Sequence, residues 1–247
     1  MTSLSSLSPV ALFAALTLSF MLPAQAVLII DDFDTYSSLT VTGPPSGPMS
    51  TFAAYSTTEA IGGERDVFIE RTSNNSGAVA TDISGSFASQ LSYASAPFTT
   101  GNLLLSYDGS DASSALNPTG LGGIDFTQSG INTGIFLRSA SDLGASITMT
   151  ILSDANHSSF YTLSIAADPS FSFFDYFAPF SSFTSSGALG GANFSSVGAF
   201  TLLLSGNTAG TDVSLDTVVA APVPEPGSSL LLLTTGLAFL VRRRLRR

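Results

Sequence analysis

The strongest structural signal in the chain is the segment Ala145-Ser146-Ile147-Thr148-Met149-Thr150-Ile151-Leu152. Apolar side chains recur at every second position, at Ile147, Met149 and Ile151, and serine or threonine fills the positions between them. Side chains two residues apart lie on the same face of a β-strand, so this segment has one apolar and one polar face. It is therefore predicted to be a strand that is buried on one side.

Short apolar runs of the same kind extend outward from this segment in both directions, and Gly, Ser, Asn and Asp separate them. Turn signals between the runs include Asn74-Asn75-Ser76-Gly77, Asp108-Gly109 and Ser205-Gly206-Asn207. This pattern, without a convincing amphipathic helix, predicts an all-β, antiparallel two-sheet sandwich of jelly-roll type over residues 27–221. The other predicted strands are Val27 to Ile30, Val67 to Arg71, Ala78 to Ile83, Ser86 to Tyr93, Asn102 to Tyr107, Gly134 to Arg138, Tyr161 to Ala166, Phe171 to Phe174, Val197 to Ser205 and Val213 to Val219, with loops at Thr40 to Met49 and Gly187 to Ala192.

Charge and cysteine content narrow the possible partners. The 247 residues carry a net charge of −10, with no cysteine. Five of the eight basic residues lie in the last six positions, which leaves Arg65, Arg71 and Arg138 for the predicted sandwich. A lysine-free, acidic surface repels phosphate groups, so nucleic-acid binding is excluded, and the absence of cysteine excludes disulfides. Neutral sugars, cations and basic proteins remain as partners.

The C-terminal end contains three ordered elements. Val223-Pro224-Glu225-Pro226 is predicted to be an extended spacer, because proline fixes φ and disfavours the α region in the preceding residue. Residues Gly227 to Val241 are uncharged and largely apolar, and they predict a membrane helix. A basic cluster then predicts a cytoplasmic end, and its members are Arg242, Arg243, Arg244, Arg246 and Arg247.

The N-terminal end is typical of a signal peptide over residues 1–26. Val10 to Leu22 is an apolar run, and Ala24-Gln25-Ala26 is a small-x-small site, so cleavage is expected after Ala26. Met1 to Ser8 contains no Lys or Arg, which departs from the usual positive N-terminal region. The alternative is an N-terminal strand or helix of the domain, which leaves the small-residue site unexplained.

Together the two ends resemble the PEP-CTERM family of exported bacterial proteins, on the match Val223 to Pro226, Gly227 to Val241 and Arg242 to Arg247. The resemblance covers about a tenth of the chain. It implies recognition of residues 222–247 by an exosortase-type membrane enzyme, after transient membrane insertion. It also implies a Gram-negative source that makes an exopolysaccharide matrix, and a final place at the cell surface or outside the cell. It leaves the role of the middle of the chain open.

Two short segments, Leu28 to Phe33 and Thr211 to Val218, resemble the first and last strands of lectin-like jelly rolls among carbohydrate-binding modules. Some members bind a structural calcium there, and no other cofactor is expected. Ca²⁺ takes six to eight oxygen ligands in loose geometry, and the residues that would supply carboxylates are Asp31, Asp32, Asp34 and Asp216. The alternative is that these carboxylates are solvated strand ends, since the EF-hand spacing is missing.

Candidate catalytic groups are scarce. The single histidine, His157, lies in a polar turn between two predicted strands, no serine has the G-x-S-x-G context, and Lys and Cys nucleophiles are missing from residues 27–221. Two carboxylates facing one groove would suffice for glycoside hydrolysis, and the candidates are Glu59, Glu64, Asp66 and Glu70. A charged loop and edge strand is the alternative for these residues.

The aromatic segment Phe171 to Phe183 suggests either sugar stacking or packing in the sandwich core or a self-association patch, and its phenylalanine content favours packing. The sequence therefore predicts an exported, non-enzymatic surface or matrix protein. The alternatives are a carbohydrate-binding module of the exopolysaccharide, a hydrolase, and a protein that keeps Gly227 to Arg247 as a permanent anchor.

Overall fold

The alternating segment Ala145–Leu152 forms strand β9 with the predicted bounds, and its side chains at Ile147, Met149 and Ile151 are fully buried. The computed structural model describes residues 27–44, 47–83, 89–206 and 208–223. The predicted signal peptide, the residues after Val223 and part of the predicted strand Ser86 to Tyr93 lie outside these ranges.

Fourteen strands are present in the described residues, together with 3-10 turns at Ile61–Gly63 and Phe180–Ser182. The strands are β1 (Leu28–Asp31), β2 (Ser37–Val41), β3 (Met49–Ser56), β4 (Glu64–Arg71), β5 (Val79–Ile83), β6 (Leu91–Ser95), β7 (Gly101–Tyr107), β8 (Gly134–Ser141), β9 (Ala145–Leu152), β10 (Ser158–Ile165), β11 (Phe174–Pro179), β12 (Thr184–Ser185), β13 (Ala199–Gly206) and β14 (Asp212–Ala221).

These strands form two seven-stranded antiparallel sheets. Sheet A has the order β11-β8-β14-β6-β5-β2, with β1 pairing β14, and sheet B has the order β12-β10-β9-β13-β7-β4-β3. The chain passes repeatedly from one sheet to the other, so strands distant in sequence become neighbours. The predicted all-β jelly-roll sandwich is confirmed.

The core lies between the inward faces of the two sheets. In sheet B the buried side chains alternate along β7 and β9, as in Leu103, Leu105 and Tyr107 of β7. Residues on the opposite face of sheet B carry hydroxyl, carboxylate and some apolar side chains. This period of two gives sheet B one dry and one wet surface.

Several strands depart from the sequence prediction, among them the short β12, which was not predicted. β11 begins at Phe174, where the predicted strand Phe171 to Phe174 was to end, and it runs to Pro179 on the edge of sheet A. β2 and β3 were not predicted, because their serine, threonine and alanine content hides the apolar alternation. In the described ranges, no helix is long and apolar enough to cross a bilayer.

Candidate functional site

Asp31, one of the four predicted calcium ligands, lies at the centre of the core. Its carboxylate accepts two hydrogen bonds from the Arg65 guanidinium, Nε to Oδ2 and Nη2 to Oδ1, both at 2.5 Å. It also accepts a hydrogen bond from the Tyr107 hydroxyl at 2.7 Å. All three side chains are fully buried. Burial and the neighbouring Asp31 charge raise the pKa of the Tyr107 hydroxyl well above its ordinary value, so it stays a donor. Asp31 therefore joins β1 of sheet A to β4 and β7 of sheet B.

The carboxylates of the other three predicted ligands also contact other groups of the protein. Asp32 Oδ1 accepts the backbone N–H of Asp34 at 3.3 Å, and Asp34 accepts the hydroxyl of Ser89. Asp216 lies at a register shift in β14 and its Oδ2 is 3.3 Å from Nη1 of Arg138. Among the described residues, the one carboxylate cluster with metal-ligand spacing contains none of the four. The structure does not bring them together as a set.

The carboxylates that do converge lie on the outward face of β4. Arg65 points into the core, so its neighbours Glu64 and Asp66 point to the other side of sheet B. Asp66 pairs in register with Ser106 of β7, and Asp108 follows two residues later on the same face of that strand. Strand pairing thus places a carboxylate from β4 beside one from the end of β7.

The segment after β7 brings a fourth carboxylate. Glu64 Oε1 accepts the backbone N–H groups of Asp111 and Ala112, at 3.1 and 2.7 Å, so this segment is held against the start of β4. Asp111 is exposed, and its carboxylate oxygen, with those of Glu64 and Asp66, forms a group in which all ligand atoms lie within 4.8 Å of one another. We call Glu64, Asp66, Asp108 and Asp111 the acidic cluster.

A glycine is required where this segment turns back on itself. Gly109 has φ of 99°, a left-handed conformation that favours glycine. A Cβ there would lie 2.8 Å from the carbonyl oxygen of Gly120. The backbone N–H of Asn117 also donates to Asp108 Oδ2 at 2.6 Å. The segment 108–120 is therefore a closed loop that fixes the position of Asp108.

The electrostatics of the acidic cluster are unusual. Burial, the charge of Asp108 and the charge of Glu64 raise the pKa of Asp66 to about 7. Burial also raises the pKa of Asp108. Adjacent carboxylates with little access to water resist simultaneous ionisation, because no counter-charge offsets their repulsion. Asp66 therefore keeps its proton up to about neutral pH, and the cluster reaches its full negative charge only above that.

The acidic cluster lies at one end of a cleft on the outer face of sheet B. The cleft has a volume of about 250 Å³ and contains side chains of Asp66 and Asp108. Its floor is apolar and comes from three register partners, Phe52 of β3, Phe68 of β4 and Leu104 of β7. Its hydroxyl groups belong to Ser106, Ser113 and Ser114. We call it the β4–β7 cleft.

The remaining candidate catalytic residues do not enter this cleft. His157 Nδ1 lies 2.9 Å from Asp154 Oδ2 in an exposed turn. Glu59 accepts the hydroxyl of Thr35, and Glu70, at the far end of β4, accepts the side-chain N–H of Asn102 at 3.4 Å. Of the four carboxylates considered for hydrolysis, only Glu64 and Asp66 meet.

The sequence interpretation missed Asp108 and Asp111, because Asp108-Gly109 was considered only as a turn. A signal was present in the segment Asp108-Gly109-Ser110-Asp111, where two carboxylates flank a turn directly after a buried strand. What the sequence lacks is the pairing of β4 with β7, which brings this turn to Glu64 and Asp66.

The aromatic segment Phe171 to Phe183 divides into two parts. Phe180 and Phe183 contact each other and Phe194, with ring centroids 4.6 to 6.4 Å apart, and pack against the core. Phe171 and Phe173 instead line a second cleft of about 360 Å³ on sheet A, beside Tyr93. Packing accounts for the first part, as the phenylalanine content predicted.

The end of β14 leads the chain out of the sandwich. Val223 is 52% exposed, and its backbone N–H donates to Thr133 Oγ1 at 3.0 Å. The described part of the chain therefore ends at the surface of the sandwich. A family model for the PEP-CTERM protein-sorting motif matches residues 222–247.

The chain carries a PEP-CTERM sorting motif. This match confirms the resemblance proposed from the sequence. Pro224, Glu225, Pro226 and the arginine cluster lie outside the described residues, as do Ala24 and Ala26. The comparison with curated proteins gave no match.

Solved structures similar to this chain include two carbohydrate-binding modules of family 11 from Clostridium thermocellum. One, in complex with a β-1,3-1,4-mixed-linked tetrasaccharide, has 12% identity and a TM-score of 0.37, and the match covers 82% of this chain and 99% of that chain. The other, from the cellulosomal cellulase Lic26A-Cel5E, has 13% identity and a TM-score of 0.38, with the same coverage of both chains.

Proposed function

We propose that this protein is exported, inserts transiently in the inner membrane through residues 227–241, and is cut near Pro224-Glu225-Pro226 by an exosortase-type enzyme. The match of residues 222–247 to the sorting motif carries this proposal. The exposed position of Val223 supports it, because a processing enzyme needs an accessible segment between the folded domain and the membrane. The released sandwich then acts, without catalysis, at the cell surface or in the extracellular matrix.

Intact-mass spectrometry of the protein recovered from the medium tests this proposal. We expect a species that begins at Val27 and lacks Arg242 to Arg247. Replacing Pro224 and Pro226 together by alanine should retain the protein in the membrane fraction, whereas Pro222→Ala, which leaves the Pro-Glu-Pro triplet intact, should be released normally. Secreted molecules that still carry the C-terminal arginines, or a protein that stays in the cytosol, would contradict the proposal.

For the sandwich itself we propose binding of a neutral polysaccharide of the matrix in the β4–β7 cleft. The observation that carries this is the apolar floor formed by Phe52, Phe68 and Leu104 beside the hydroxyl groups of three serines. A sugar ring presents an apolar face and a polar edge, so it needs both kinds of surface in one place. The net charge of −10 disfavours acidic polysaccharides.

A binding measurement with neutral matrix polysaccharide tests the cleft. Phe68→Ala should weaken binding, because it removes the centre of the apolar floor. The matched control is Phe171→Ala, which truncates a phenylalanine in the second cleft on sheet A. If both variants bind as the unmodified protein does, the cleft is not the saccharide site. Release of reducing sugar in the same assay would instead favour the hydrolase alternative.

A further inference from the structure

The acidic cluster brings four carboxylates together, and none of the basic side chains that the structure describes is paired with them. Every basic residue of the described ranges has another partner. Arg65 contacts Asp31 inside the core, Arg138 lies between Asp175 and Asp216, and His157 contacts Asp154. Arg71 donates to backbone carbonyl oxygens in the loop after β2. Among the described residues, no basic side chain therefore offsets the repulsion within the acidic cluster.

Two buried oxygens of the cluster have no donor in the part of the chain that the structure describes. They are Oδ1 of Asp66 and Oδ1 of Asp108. Asp66 is 4% exposed and Asp108 is 1% exposed, and both side chains line the β4–β7 cleft. A buried acceptor without a partner costs about 1 to 3 kcal/mol, so native proteins seldom keep one without a water molecule, an ion or a ligand bound there.

The remaining oxygens of the cluster are arranged to support a ligand. Glu64 Oε1 and Asp108 Oδ2 accept backbone N–H groups, which orient the two side chains. Asp111 Oδ1 accepts the N–H of Ser113 at 3.0 Å. Each of these carboxylates is thus held through one oxygen and can offer the other.

We propose that Glu64, Asp66, Asp108 and Asp111 bind a divalent cation of the calcium class. Carboxylate oxygens are the ligands that calcium prefers, and it accepts irregular geometry with water completing six to eight ligands. Magnesium requires a near-octahedral set of short bonds and keeps most of its water. A cluster assembled from a strand, a strand end and an exposed loop residue suits the larger ion.

The cation would connect strand β4 to the loop 108–120. Asp111 belongs to that loop, whereas Glu64 and Asp66 belong to the rigid sheet. Binding would therefore stabilise the loop side of the β4–β7 cleft, where Ser113 and Ser114 lie. The cation and the saccharide would share the cleft that Asp66 and Asp108 line, but the inference is argued from the carboxylates and the saccharide proposal from the apolar floor, so each can fail without the other.

Calorimetric titration of the full chain with CaCl₂ after treatment with a chelator tests the inference. We expect one site, a rise in melting temperature with added calcium, and a smaller response to the same concentration of MgCl₂. Asp66→Asn and Asp111→Asn should each weaken calcium binding about tenfold or more, since affinity depends on the number of charged ligands. Asp111 is exposed, so its substitution tests the site without disturbing the core.

Glu70→Gln is the matched control, because Glu70 lies on the same strand and face and loses the same charge. It should bind calcium as the unmodified protein does. The inference is overturned if the unmodified chain shows no response to calcium, or if Glu70→Gln weakens binding as much as Asp66→Asn and Asp111→Asn do.

Discussion

Three consecutive residues, Glu64, Arg65 and Asp66, place charges on opposite sides of one sheet. Arg65 enters the core and is neutralised by Asp31, with Tyr107 as a further donor. Glu64 and Asp66 enter the acidic cluster on the outer face, where the charges are all of one sign. Both regions contain buried charged side chains, yet one contains matched charges and the other does not.

This difference separates structural charge from functional charge. A buried pair with its hydrogen bonds complete connects the two sheets and needs nothing more from outside. A buried group of like charges lowers the stability of the folded protein. Such local destabilisation is common at binding sites. The comparison predicts that substitutions in the two regions change stability in opposite directions.

The largest effect is expected in the core. Asp31→Asn should lower the free energy of unfolding by about 3 to 5 kcal/mol, because it leaves the Arg65 guanidinium buried without a counter-charge. Urea unfolding measures this, with Asp32→Asn, a half-buried neighbour, as the control. A loss below 1 kcal/mol for Asp31→Asn, about that of an exposed pair, would contradict the expected difference between the core pair and the acidic cluster.

The opposite sign is expected in the acidic cluster. With chelator present at pH 8, Asp66→Asn should raise the free energy of unfolding by about 1 to 3 kcal/mol, because it removes a buried, unpaired charge. The pKa of Asp66 is about 7 in the folded protein against an ordinary value of 3.8, so the folded state holds the proton more tightly. The stability of the unmodified protein should therefore fall as pH rises from 3.8 to about 7 and change little above that.

Urea unfolding across this pH range, with the Asp66→Asn variant in parallel, checks the pH dependence. The variant should lack the fall in stability between pH 4 and about 7 that Asp66 causes. Glu70→Gln should keep it. Equal slopes in Asp66→Asn and the unmodified protein would show that the cluster is not the source.

The buried charge of Arg71 adds a third case to the comparison, because its hydrogen-bond partners are neutral. The Arg71 guanidinium donates to the carbonyl oxygens of Gly43, Pro44, Gly47 and Gly77, at 2.9 to 3.3 Å. Arg71→Lys keeps the charge but loses the planar set of donors, so a loss of about 1 to 2 kcal/mol is expected. Thermal unfolding measures it, and proteolysis should become faster in the loop after β2. No change in either would indicate that the carbonyl contacts do not hold this loop.

The smallest effect is expected for the exposed pair of Arg138 and Asp216. Exposed ion pairs contribute about 0 to 1 kcal/mol, so Asp216→Asn should scarcely change the midpoint of unfolding. The same variant should also keep the calcium response, since Asp216 lies outside the acidic cluster. Loss of calcium binding in Asp216→Asn would favour the ligand set first predicted from the sequence.

The strand pattern was predictable wherever large apolar residues alternate with polar ones. β9 has the predicted bounds, and β7 and β14 differ from prediction by one or two residues at an end. β3 was missed because Met49–Ser56 contains small residues and lies at the edge of sheet B, where neither face is fully buried. Because neither face is fully buried, apolar and polar residues need not alternate in this strand, and the sequence pattern that predicts a strand is missing.

The site was predictable only in part. Glu64 and Asp66 are two of the four carboxylates predicted to be able to face one groove, but the predicted strand begins at Val67, whereas β4 begins at Glu64. Their partners Asp108 and Asp111 come from more than forty residues away in the chain, through the pairing of β4 with β7. Asp31 was assigned to a metal because its charge was visible, whereas its contact with Arg65 crosses the sandwich.

By itself the sequence determined the fold class, the sorting motif at residues 222–247 and the scarcity of basic groups, since each depends on composition or on spacing within a short segment. Only the tertiary structure decided which carboxylates pair with an arginine and which lie beside other carboxylates. Side-chain alternation is a local property of a strand, but the neighbour of a charge is chosen by strand pairing and sheet packing, which join residues far apart in the chain.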